Sequence, residues 1–157
     1  MYRKGDRILY PMHGAGVIEA IEKREILGTI KEYYILHIPC GDMEVMIPVE
    51  NCEVMGVRPI SSVADAKKAM KILSEKSTPM TGNWNKRYRE NMEKIKTGRI
   101  DQVAEIVRNL TRVDRENRLS AGEKKMLSNV RRILQSEIML VFDMDQDEAK
   151  DKIEEAI

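Results

Sequence analysis

The first 56 residues are short apolar runs cut by Gly and Pro. Residues 7–10 end at Pro11, 17–22 follow Gly16, 32–38 stop at Pro39, 43–47 stop at Pro48, and 53–55 precede Gly56. Runs this short, rich in β-formers and bounded by turn residues, predict five strands and a small barrel of the SH3 or Tudor kind. Such a barrel closes incompletely and leaves an edge strand on which another sheet can dock. Residues 57–62 mark a boundary, beyond which the apolar positions recur at helical spacing. Val63, Ala66, Met70 and Leu73 form a stripe capped by Ser61 or Ser62, and residues 77–82 read as a loop. Trp84, Tyr88, Met92 and Ile95 give a second helix that stops near Thr97 and Gly98, and Val103, Ile106, Val107, Leu110 and Val113 give a third. Ser120 and Glu123 make a capping box that opens a fourth helix running to Val141; a last helix is capped by Asp145 or Asp147. The fold class is α+β: a Tudor-like module over 1–58, then an all-α module over 59–157 with basic helices at 63–142 and an acidic helix at 143–157.

Composition narrows the class. With 11 Met but one Phe and one Trp, the core must be aliphatic, with Met filling irregular gaps. No run of 18 apolar residues occurs, and the charged start Met1–Asp6 lacks a signal-peptide pattern, so a cytoplasmic protein without membrane contact is expected. Cys40 and Cys52 read as small buried thiols in that setting. The net charge of +1 hides a partition: residues 1–59 carry −2, residues 60–142 carry +8 and residues 143–157 carry −5. A basic middle between acidic ends suggests that one segment faces nucleic acid and another does something else.

Candidate chemistry is mostly absent. The stretch Pro11–Gly16 lacks phosphate-loop spacing and leads into a strand, so it is a tight turn. His13, His37, Cys40 and Cys52 lack zinc spacing. Asp143, Asp145 and Asp147 imitate a calcium loop, but Glu148 stands where that loop needs Gly. No nucleophile–base pair is visible, so no enzyme activity, metal, cofactor or small-molecule substrate is expected. The basic helices carry more. Arg108, Arg112 and Arg115 share a face, and the pairs Lys124–Lys125 and Arg131–Arg132 return seven residues apart. Cations with few base-reading Asn or Gln suggest backbone grip with little sequence readout. Trp84, directly before Lys86, Arg87 and Arg89, has two readings: a packed member of its stripe, or an apolar wedge between bases.

Taken together, the chain resembles the CarD family of bacterial transcription regulators (CarD-like, CdnL). The resemblance rests on Lys4-Gly5-Asp6, Tyr10-Pro11, His13-Gly14-Ala15-Gly16, Glu19-Ala20-Ile21-Glu22, Lys31-Glu32-Tyr33-Tyr34 and Val57-Arg58. In the second half it rests on Asn83-Trp84, Arg87-Tyr88, Val103-Ala104-Glu105, Val107-Arg108 and the run Ser120–Leu127. It implies a Tudor-like domain docked by strand edges on the β subunit of RNA polymerase, and a helical domain on promoter DNA at the upstream edge of the bubble. By the same resemblance Trp84 is the wedge, and Lys86, Arg87, Arg89, Lys124 and Lys125 contact DNA in the minor groove and along the backbone. Arg24, Ile26 and Met46 match polymerase-contact positions; Met46 stands where some members carry Arg. The implied function is stabilisation of the open complex, at the nucleoid through polymerase. The alternative is a general, sequence-blind architectural DNA-binding protein acting without polymerase, but such a protein has no need of an acidic strand module with a free edge.

Overall fold

Tight reversals at left-handed residues order the strands. In the computed structural model, which describes residues 1–157, β1 (Arg7–Tyr10), β2 (Gly14–Ile26), β3 (Thr29–Ile38), β4 (Met43–Pro48) and β5 (Arg58–Pro59) form one antiparallel sheet in the order β4-β3-β2-β1-β5. β4 and β5 do not pair, so both edges stay open. β2 and β3 extend further than the apolar runs predict and form a long hairpin whose turn, Leu27-Gly28, has φ of 52° and 78°. Positive φ at both turn positions matches the right-handed twist of the flanking strands. A bulge between Ile18 and Ala20 shifts the β2–β3 register. The strand expected at 53–55 does not form: these residues turn instead, Val54 lies exposed, and Gly56 reverses the chain with φ of 78°. The last strand is Arg58–Pro59, paired with Leu9 and Ile8 of β1.

Five helices follow: α1 (Val63–Ser74), α2 (Trp84–Lys96), α3 (Ile100–Arg115), α4 (Ala121–Phe142) and α5 (Gln146–Ala156). Ser62, Asn83, Ser120 and Asp145 cap four of them through side-chain oxygens. α4 lies against the sheet. Ser136 Oγ accepts the N–H of Ala15 at 2.8 Å, Arg132 donates to the carbonyl of His13 at 2.7 Å, and Arg7 donates to that of Leu140 at 2.7 Å. A Cβ on Gly14 would come within 2.9 Å of Ser136 Oγ, so the contact requires glycine there. Arg58 adds a clasp: it donates to Glu137 at 2.8 and 2.9 Å and to the Gly98 carbonyl at 2.7 and 3.0 Å, while Glu137 also accepts the N–H of Ser61. One apolar core runs through both halves, from Ile8 and Leu36 to Ile138 and Ile153. No helix is long and apolar enough to cross a membrane.

Candidate functional site

Asn83 starts α2 sharply, because its side-chain oxygen accepts from the N–H groups of Asn85 and Lys86 at 3.0 and 3.2 Å. Trp84 therefore occupies the first turn, and its residue surface is 55% exposed. Along its stripe only Ile95 is buried, with Tyr88 and Met92 half-buried against the core. The helix sinks into the fold towards its C-terminus and leaves the indole in solvent.

Arg87, one turn further on, is drawn to α4 instead. Its Nε and Nη2 donate to Glu123 at 2.6 and 2.7 Å, and Glu123 is wholly buried. The same carboxylate accepts the backbone N–H and hydroxyl of Ser120 at 3.3 and 3.2 Å, completing the capping box of α4. One side chain thus starts α4 and staples α2 to it. Burial alone would raise the Glu123 carboxyl, but the bonds from Arg87 and Ser120 outweigh it and hold the group below its ordinary value. The bond to Glu123 raises the Arg87 guanidinium in turn, against the opposing effect of burial. Arg87, expected among the phosphate-gripping cations, has two of its nitrogens committed inside the protein. Glu123 was legible as a cap but not as a staple, because its partner lies 36 positions away.

Lys86, Arg89, Lys124 and Lys125 are exposed. Lys86 lies only 3.9 Å from Glu90, a weak surface pair. No ion pair involves Arg89, Lys124 or Lys125. Because Lys124 and Lys125 directly follow Glu123, the staple brings them beside the start of α2. On the Arg108–Arg112–Arg115 face, expected to grip nucleic acid, Arg108 and Arg112 are used inside the fold instead, and Arg115 makes a surface pair. Arg108 is buried and donates to the Ile72 carbonyl, Arg112 donates to the carbonyls of Leu73 and Glu75, and Arg115 pairs with Glu154. Free carbonyls at the end of α1 attract cations, which is the physical reason.

On the sheet, register puts the three expected docking residues on one face. Ile26 lies opposite Thr29, Arg24 opposite Lys31, and Met46 opposite Ile35, which in turn lies opposite Ala20. Alternation then sends Ile26, Arg24 and Met46 to the same side. Arg24 is partly engaged by Glu22 at 2.6 Å, whereas Ile26 and Met46 are exposed. β4 ends opposite Tyr33, so the outer edge of β3 is unpaired from Thr29 to Glu32.

An open-edged antiparallel sheet carrying a helical layer, with an exposed ring and unpaired cations, defines an α+β protein. The CarD-like/TRCF RID domain model matches residues 2–61 and the CarD C-terminal domain model matches residues 68–154. The Bacillus subtilis (strain 168) protein named "Putative transcription factor YdeB" is 39% identical over 150 residues, covering 96% of this chain and 98% of that protein. The chain belongs to the CarD family, a family of transcription regulators with a Tudor-like domain.

Proposed function

We propose that this protein docks on the β subunit of RNA polymerase through the sheet face of Arg24, Ile26 and Met46, and sets Trp84 into the upstream edge of the promoter bubble. Residues 1–58 act as the docking module and residues 59–157 as the DNA module, and the protein works in the cytoplasm wherever polymerase holds it on the nucleoid. The observation that carries the reading is Trp84: a largely exposed indole on the first turn of a helix, in a chain of this family, beside cations with no internal partner. An apolar ring set into a base step opposes restacking, on the scale of a few kcal/mol per step. Bubble collapse is slowed tenfold by about 1.4 kcal/mol. Lys86, Arg89, Lys124 and Lys125 hold phosphates and read no sequence. Docking supplies the address, so weak DNA affinity becomes sufficient through tethering.

Trp84→Ala in the full chain tests this. Stability should move by roughly 0.5 kcal/mol, as for ordinary surface changes, and polymerase binding should stay intact. Open-complex lifetime should fall, and Trp84→Phe should keep part of the effect. A large loss of melting temperature with unchanged dissociation kinetics would return Trp84 to the core.

A further inference from the structure

Between α4, α5 and the end of α3 lies an open groove of about 690 Å³. Its lining includes the cations Lys124, Arg131, Arg132 and Lys150, and only one acid, Asp114. Lys124, Ser128, Arg131 and Gln135 fall at i, i+4, i+7 and i+11 of α4 and make one stripe about 16 Å long. Lys150 reaches the groove from α5, four of whose acids, Asp147, Glu148, Asp151 and Glu155, line a separate hollow with Asp145 and Lys152, while Glu154 alone turns to Arg131. The groove is also poised. Arg132 is braced by the His13 carbonyl and by Asn129. Arg131 is held by Glu154, and its Nε is buried without a partner. Lys150, like Lys124, enters no ion pair.

The lining is too polar for an apolar ligand. It suits a chain of phosphates, whose spacing along a duplex is about 3.4 Å per strand, so the stripe spans several of them. Lys124 belongs both to this groove and to the cation cluster stapled beside Trp84, which makes the two surfaces continuous.

We propose that this groove is a second phosphate site, holding the DNA backbone beyond the base step taken by Trp84. The inference rests on the DNA-facing reading of α2 and α4. In the full chain, Ser128→Glu and Lys150→Glu would be compared with Lys152→Glu, which changes the charge as much as Lys150→Glu but lies on the other side of α5. Duplex binding is measured across a salt series. Ser128→Glu and Lys150→Glu should weaken binding roughly threefold to tenfold and flatten the salt slope by about one unit each, and Lys152→Glu should do much less. Equal effects of Lys150→Glu and Lys152→Glu would reduce the groove to a general charge effect and overturn the site. A Lys86→Ala, Arg89→Ala double variant run alongside separates the two readings. If it weakens binding while the groove variants do not, the groove is wrong and the wedge surface stands. If neither weakens binding, the DNA-facing reading itself fails. Groove variants that keep DNA binding but lose polymerase would assign the groove to an acidic protein surface instead and overturn the phosphate site.

Discussion

Trp84 and Arg87 lie three positions apart, about 60° round one helix, yet end differently, one in solvent and one on a buried carboxylate. The difference is testable with Arg87→Ala and Arg89→Ala. Arg87→Ala leaves Glu123 charged, buried and short of its partner, which costs about 3–5 kcal/mol when such a pair is broken from one side. It should lower the melting temperature and leave the salt slope of DNA binding per folded molecule nearly unchanged. Arg89→Ala should do the reverse, flattening the slope by about 0.9 with little loss of stability. A flatter slope with unchanged melting in Arg87→Ala would mean that its guanidinium leaves Glu123 for a phosphate. The pair also sets a pH dependence. The Glu123 carboxyl is held below its ordinary value of 4.5, so its contribution is full at neutral pH and above that value, and is lost as pH falls through the depressed one. Glu123→Gln should flatten the acid limb of a stability-against-pH curve.

At the scale of elements, the β2–β3 hairpin is the least economical piece. Leu27 is fully exposed and left-handed, a conformation that costs an L-residue about 1–2 kcal/mol. Leu27→Asn keeps the turn with a residue that tolerates it and should raise stability by about 1 kcal/mol, read by chemical denaturation. No gain would mean that the exposed side chain packs within the hairpin. The same strain explains why the hairpin was only half legible. Its sequence, Lys23 to Glu32, is polar apart from Ile26, Leu27 and Ile30 and lacks an Asn-Gly or Asp-Gly turn, so the apolar runs mark only its base. The helices were legible because local chemistry announces them: Ser62 and Ser120 cap as expected, and the Ser120–Glu123 box forms both its bonds. What stayed hidden was pairing at long range. Arg58 with Glu137, Arg108 with Ile72 and Arg87 with Glu123 follow from helix packing, and spacing along one helix carries no trace of it. The missing strand at 53–55 failed for the opposite reason: its pattern was β-like, but Val54 has nothing to pack against.

The whole molecule is tied across its composition break. Arg58 joins β5, the α2–α3 turn and α4 through Glu137, and Ser136 fixes α4 on Ala15. Arg58→Ala should cost about 3–5 kcal/mol for the same reason as Arg87→Ala. Variants that fold should keep polymerase binding and lose part of the open-complex lifetime; a full lifetime effect would show that the sheet and the helices act without a fixed orientation. The α4 contacts carry one more consequence. From Glu123, which holds the Trp84 helix, to Ser136, which holds the sheet, α4 runs unbroken for 13 residue steps, about 20 Å. A single inserted residue there would carry the ring about 1.5 Å further out and swing it through about 100°. Across kindred chains this stretch should therefore refuse any gain or loss of length.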